Sequence, residues 1–361
     1  MSQKEYIGIG AIESLDKILG DYQADKVFLV CSKKAFTDCG AAAHIDKIKN
    51  VQFVQFNDFE INPKMEDVNK GIELFLHSEA KAIVAVGGGS SIDMAKLIRH
   101  VSEQRKLPFI AVPTTVGSGS EATSFAVMYV NKVKQSIADI SILPNVVIID
   151  PNLSLSLSSY NVAVTGMDAL CHAIEAYWSI HSTDESKKYA KEAIAIVLGN
   201  LEKAVHSPSV ELIANMAKAA NLAGKAINIS KTTAAHAVSY TLTSYFAIPH
   251  GLAVCLTMPD LFVYNDEVTE TDIEDARGVR YVKQVIDEIN QLFGGKDSKE
   301  TSVIIEQFIN KLGLSTKLSF YGIKHSDIDL ILNNINAERL SNNPRRVEKS
   351  EIRRILEGRL T

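Results

Sequence analysis

Over the first 150 residues, short β-branched or apolar runs alternate with segments of helix length, and after about residue 159 such runs nearly vanish. The runs are Val27-Phe-Leu-Val-Cys31, Val51-Gln-Phe-Val-Gln-Phe56, Ala82-Ile-Val-Ala-Val86, Phe109-Ile-Ala-Val112 and Asn145-Val-Val-Ile-Ile-Asp150. Alternation of strand and helix implies a parallel sheet covered by helices on both faces. From Asp168 to Trp178, Ser186 to Val205 and Val210 to Ala226 the pattern is instead Ala/Leu-rich and helical. Pro151 and the serine-rich stretch Leu153 to Ser159 mark the break. The expected architecture is an α/β domain over residues 1–158 followed by an all-α domain over residues 159–361.

A chain of 361 residues has room for two such lobes, each with its own core. A net charge of −5 gives no general attraction to nucleic acid or to an anionic membrane. The one basic stretch, Arg345, Arg346, Lys349, Arg353 and Arg354, is interleaved with Glu348, Glu351 and Glu357 and reads as a solvated helix face. The polar start and the lack of any apolar run near the ~18 residues of a spanning helix make the expected location cytoplasmic. Cys31, Cys39, Cys171 and Cys255 form no CxxC pair and read as reduced, buried thiols.

Two glycine-rich loops follow strands. Gly87-Gly-Gly-Ser-Ser-Ile-Asp-Met-Ala-Lys96 opens a helix, where glycines admit a phosphate close to the backbone, Ser90 is placed to cap, and the helix N-terminus favours negative charge. Its spacing differs from the common dinucleotide fingerprint, with Ile92 in place of the third glycine. Pro113-Thr-Thr-Val-Gly-Ser-Gly-Ser-Glu121 lies on the same sheet edge and offers the hydroxyls of Thr114, Thr115 and Ser118. Together the loops suit an extended ligand such as a dinucleotide.

Asp168 and His172 stand four apart in a helical run, so both project from one face. His236 and His250 lie in similarly apolar surroundings. Three imidazoles and a carboxylate without a thiolate suit Fe(II) or Zn(II).

Those two loops, the run Gly166-Met-Asp-Ala-Leu-Cys-His-Ala-Ile-Glu-Ala-Tyr177, His236 and Pro249-His250-Gly251 resemble the iron-containing (group III) alcohol dehydrogenases over nearly the whole chain. The resemblance implies a Rossmann-like dinucleotide-binding lobe, a helical metal- and substrate-binding lobe, and a homodimer or larger assembly. It assigns Asp168, His172, His236 and His250 to the metal and Gly88, Gly89 and Ser90 to the diphosphate. Thr114, Thr115 and Ser118 go to the cofactor, Lys134 to its ribose, and Asp93 to the cofactor site or to the helix start. The implied chemistry is reduction of a small aldehyde to a primary alcohol, with the metal as Lewis acid and hydride from the nicotinamide.

Two positions depart from the family pattern. Cys31-Ser32-Lys33-Lys34 stands where NAD-preferring members carry an acid, so Ser32 and Lys33 favour the 2′-phosphate of NADP(H) over NAD(H). Tyr240 stands where many members carry a histidine near the nicotinamide, so a histidine proton relay is not expected; Tyr240 either supplies a hydroxyl to a water chain or simply packs. Lys231, five residues before His236, would need an anion if buried. With Ala122-Thr-Ser-Phe-Ala-Val-Met-Tyr129, Lys134-Gln-Ser136 and Asp275-Ala-Arg-Gly-Val279, it resembles the phosphonoacetaldehyde reductase branch. On that reading Lys231, with Arg277 or Arg345, holds an anionic substrate while Ser124 lines the pocket. The alternatives are an alcohol dehydrogenase for an uncharged alcohol or diol, a metal-dependent lyase or cyclase resembling dehydroquinate synthase, and a nucleotide-binding protein that has lost catalysis.

Overall fold

The computed structural model describes residues 3–130 and 133–360, with the side chains of Val133 and Lys134 outside the described residues. The chain divides into two compact units, Met1–Ser158 with Pro208–Gly224, and Ser159–Ser207 with Lys225–Thr361.

In the first unit, six strands form a parallel sheet: β1 (Lys4–Ile7), β2 (Lys26–Cys31), β3 (Gln52–Phe56), β4 (Ala82–Gly87), β5 (Phe109–Pro113) and β8 (Val146–Ile149). Their order is β1-β8-β5-β4-β2-β3. Because side chains alternate along a strand, Val27, Leu29 and Cys31 enter the core on one face, while Phe28 and Val30 enter the core on the other. The first core includes residues of α1 (Ser14–Asp21), α2 (Lys33–Asp38) and α3 (Ala41–Ile45); the second includes residues of α4 (Met65–Ser78) and α5 (Gly89–Val101). Burial on both faces explains why the central strands are apolar at nearly every position.

Three strands were not expected from sequence. β1 is a short edge strand with little buried side-chain surface, so its residues lack an apolar signature. β6 (Phe125–Val130) and β7 (Val133–Ala138) form a separate antiparallel hairpin.

The second unit is helical, built from α6 (Ser159–Trp178), α7 (Asp184–His206), the end of α8 (Val210–Ser230), α9 (Ala234–Phe246), α10 (His250–Cys255) and further helices to Gly358. α6 is buried nearly all round from Val162 to Trp178, so any polar side chain on it must find a partner inside the unit. The four cysteines are unpaired and buried, and among the described residues no helix is long and apolar enough to cross a membrane.

Candidate metal centre and cofactor loops

Asp168, His172 and Glu175 share one face of α6, at spacings of four and three. His236 lies in the first turn of α9, and His250 opens α10 directly after Pro249. Gly251 explains how α10 comes so close: a Cβ there would sit 2.2 Å from the Val164 carbonyl oxygen and 2.8 Å from Asp168 Cβ. Any larger residue would push His250 away from α6.

Ligand atoms of Asp168, His172 and His236 all lie within 4.8 Å of one another. His172 Nε2 is 3.8 Å and His236 Nε2 is 3.7 Å from Asp168 Oδ1. These separations are too long for hydrogen bonds but match atoms each ~2.1 Å from a shared ion. Asp168 Oδ1 and His236 Nε2 are buried and make no hydrogen bond, a costly arrangement unless something between them is bound. The His172 and His236 rings stack at 4.5 Å. His250 flanks this trio, its ring 5.4 Å from that of His236. Burial would raise the Asp168 pKa, but His172, His250 and His236 outweigh it and hold the carboxyl well below the usual range. The centre is anionic on its carboxylate side and offers nitrogen lone pairs on the other, a donor set suited to a divalent metal.

Glu175 was not singled out by sequence reasoning. It is fully buried, and its Oε2 contacts His236 Nδ1. Oε1 accepts hydrogen bonds from Thr233 Oγ1 at 2.8 Å and from the backbone N–H groups of Ala235 and His236 at 2.9 and 3.3 Å. Thr233 is held in turn by Trp178 Nε1 at 2.9 Å. A carboxylate on Nδ1 fixes the proton there and leaves Nε2 to face Asp168. The available signal was the spacing, because Glu175 falls on the same helix face as Asp168 and His172.

In the first unit, the loops after β4 and β5 are neighbours. Thr114 N–H donates to the Gly87 carbonyl at 3.0 Å. A Cβ on Gly88 would lie 2.9 Å from Thr115 Cγ2, and one on Gly89 would lie 3.1 Å from Ser118 Cβ. The chain leaves β2 toward β3 and leaves β4 toward β5, so the strand order reverses between β2 and β4. Ligands of open parallel sheets bind at such a reversal. Ser32 and Lys33 follow β2 at this edge, with Lys33 exposed.

Several expected roles change. Ser90 does not cap α5: Gly88 holds that position, and Ser90 Oγ accepts from Asn62 N–H at 3.2 Å. Asp93 is committed within the fold, accepting from Ser120 Oγ and, at 3.0 Å, from Val127 N–H. It ties α5 to the second loop and to β6. Ser124 precedes β6, its carbonyl accepting from Asp139 N–H at 2.9 Å. Lys134 pairs with Tyr129 in β7, but its side chain lies outside the described residues. Lys231 is not a buried lysine awaiting an anion. It ends α8 in a left-handed conformation, is 45% exposed, and places Nζ 3.4 Å from Glu338 Oε1. Arg277 is spent on Asp275, Ser179, Ser182 and Tyr281. Arg345 is spent on Asp272 and the Tyr264 carbonyl. Tyr240 is buried, its ring 6.1 Å from that of His250. Burial raises its pKa against the opposing pull of the positive charge of Arg339.

Residues 2–151 match the family model described as iron-containing alcohol dehydrogenase, and residues 162–360 match that of the C-terminal domain of the same family. The chain belongs to the iron-containing alcohol dehydrogenases. It is 30% identical to a phosphonoacetaldehyde reductase of Streptomyces viridochromogenes, across 77% of this chain and 75% of that one. It is also 30% identical to an NADPH-dependent butanol dehydrogenase of Clostridium saccharobutylicum, across 98% of this chain and 95% of that one. The crystal structure of sulfoacetaldehyde reductase from Bifidobacterium kashiwanohense in complex with NAD+ superposes with a TM-score of 0.88 at 27% identity, covering 99% of this chain and 97% of that one. This iron-type dehydrogenase is therefore an oxidoreductase of the alcohol dehydrogenase and aldehyde reductase class.

Proposed function

We propose that this dehydrogenase uses one divalent metal and NADP(H) to reduce a short aldehyde bearing an acid group, phosphonoacetaldehyde foremost, to its primary alcohol. The observation that carries the reading is the pair of buried atoms, Asp168 Oδ1 and His236 Nε2, without hydrogen bonds and 3.7 Å apart. Asp168, His172, His236 and His250 would hold Fe(II) or Zn(II). Gly88, Gly89 and Ser90 would receive the diphosphate, and Thr114, Thr115, Ser118 and Lys134 the rest of the cofactor. Ser32 and Lys33 would bind a 2′-phosphate, which favours NADP(H) over NAD(H). When bound, the metal supplies Lewis-acid polarisation of a carbonyl and the nicotinamide supplies hydride.

The chain's own residues set the conditions for that chemistry. Asp168 places a fixed negative charge among the imidazoles, and Glu175 keeps the His236 proton on Nδ1. Tyr240 Oη, its pKa raised by burial, keeps its proton at neutral pH and would be a candidate proton donor to the product oxygen. The acid group on the substrate is supported by the likeness to the phosphonoacetaldehyde and sulfoacetaldehyde reductases, not by Lys231, whose charge Glu338 engages.

Metal analysis of anaerobically purified protein, with an aldehyde panel assayed against NADH and NADPH, tests the reading. One equivalent of iron or zinc and aldehyde-dependent NADPH oxidation are expected. A metal-free protein active on the same panel would overturn it.

A further inference from the structure

Lys96 sits two turns into α5, the helix whose first turn would receive the diphosphate, and none of its surface is exposed. An apolar side chain would fill that place without taking a charge out of water, so the ammonium must be held there by what it binds. Its three hydrogens have three acceptors: the Ser120 carbonyl at 2.6 Å, the Phe125 carbonyl at 2.8 Å and Thr123 Oγ1 at 3.0 Å. Asp93, one turn earlier on α5, accepts from Ser120 Oγ and from Val127 N–H. One helix therefore grips the end of the second glycine loop through both the main chain and the side chain of Ser120. It grips the start of β6 as well, at Phe125 and Val127.

The hold on Ser120 reaches back into the loop. Ser120 N–H donates to Ser118 Oγ at 3.4 Å, and Ser118 faces Gly89, where a Cβ would lie 3.1 Å from Ser118 Cβ. Gly119, between the two serines, lies against the backbone of α8 at Ala220 and Gly224 with no room for a Cβ. The loop is fixed between the α8 backbone on one side and the ammonium on the other. Because α5 begins at Gly89, the same helix carries the first glycine loop at its N-terminus and sets where Ser118 stands beside it. A dinucleotide that touches both loops requires that spacing to be in place before it arrives.

We propose that Lys96 is a positioning residue for the cofactor: through Ser120 it fixes the spacing of the two glycine loops at which a nicotinamide dinucleotide binds. The proposal rests on the cofactor reading of those loops and gives Lys96 no contact with the cofactor itself.

NADPH and NADH binding are measured by fluorescence titration on the wild type and on the Lys96→Met and Thr123→Val variants, with circular dichroism to check the fold. Metal binding, which belongs to the other unit, is measured on the same proteins by chelator competition. Lys96→Met leaves two carbonyls and a hydroxyl without their donor and should weaken both cofactors about tenfold or more, while Thr123→Val removes one acceptor and should weaken them about threefold. The KM for NADPH should rise by the same factors with kcat at saturating NADPH nearly unchanged, the mark of lost binding rather than lost chemistry. Metal affinity should stay within about twofold of wild type, since the two sites share no partner. Wild-type cofactor affinity in a folded Lys96→Met overturns the proposal, as does a loss of metal affinity as large as the loss of cofactor affinity, which marks a general effect on the fold. If Lys96→Met does not fold, Thr123→Val decides, and wild-type cofactor affinity in that variant overturns the proposal. A wild type that binds neither nicotinamide removes the cofactor reading of the loops and this role with it. A wild type that binds them no better than the variants do removes only the role of Lys96.

Discussion

Replacing Glu175 by glutamine disturbs the metal centre at one atom. Oε1 accepts from Thr233, Ala235 and His236, and an amide oxygen can serve all three donors. The change falls on Oε2, which faces His236 Nδ1. A carboxylate there requires a proton on Nδ1, whereas an amide NH2 in its place requires Nδ1 to accept. The imidazole proton then moves to Nε2, the atom that faces Asp168 Oδ1 at 3.7 Å, and a protonated Nε2 cannot ligate. Recovering the ligating tautomer sets two donors against each other in a fully buried contact, which costs about 1–3 kcal/mol. Metal affinity should therefore fall about ten- to a hundredfold, the range usual for carboxylates that orient a ligating histidine. Competition with a chromophoric chelator, using Zn(II) in air or Fe(II) anaerobically, measures the loss, and circular dichroism of the metal-free variant checks the fold. An affinity within about threefold of wild type, with the fold intact, would show that Glu175 does not orient His236 toward a metal.

Lys96 is wholly buried and donates to the carbonyls of Ser120 and Phe125 and to Thr123 Oγ1; burial pulls its pKa down to about 8. An unfolded lysine titrates near ~10.4, so above about pH 8 the unfolded chain holds the extra proton and the wild type should gain about 1 kcal/mol over Lys96→Met by about pH 9. Urea unfolding of both proteins at several pH values reads this, and a pH-independent difference would contradict it. Gly119 adopts a left-handed φ of +61°, and a Cβ there would lie 2.7 Å from Gly224 Cα and 2.8 Å from the Ala220 carbonyl oxygen. Gly119→Ala should therefore cost about 2 kcal/mol or more in denaturant unfolding, since backbone cannot give way as a side chain does; a loss below about 0.5 kcal/mol would show that the loop can shift. Ser32→Asp, at the edge where the strand order reverses, should weaken NADPH binding about tenfold more than NADH binding through repulsion of the 2′-phosphate. Equal losses in cofactor fluorescence titrations would remove Ser32 from that contact.

What could be read from sequence was what is local along the chain. The five apolar runs became β2, β3, β4, β5 and β8; β2, β4, β5 and β8 are buried on both faces and so declare themselves in composition, while the edge strand β3 showed through its apolar Phe53, Val54 and Phe56. β1 has no such burial, and the β6–β7 hairpin carries the polar run Lys134-Gln135-Ser136, of which Lys134 had been assigned to the cofactor ribose by resemblance and not to a strand. The pairing of Asp168 with His172 was legible because a spacing of four on a helix is a geometric statement. Glu175 obeys the same geometry, yet one acid in an apolar run does not reveal that its partner arrives from 61 residues away. The same limit applies to Lys231. Lys231 stands five residues before His236 and so drew attention, while the Glu338 that engages it lies 107 residues downstream, next to the buried Arg339. A charge's neighbours along the chain therefore show where it can act, and only its neighbours in space show whether it is still available. On that test Lys231, Arg277 and Arg345 are committed to Glu338, Asp275 and Asp272, carboxylates of the fold.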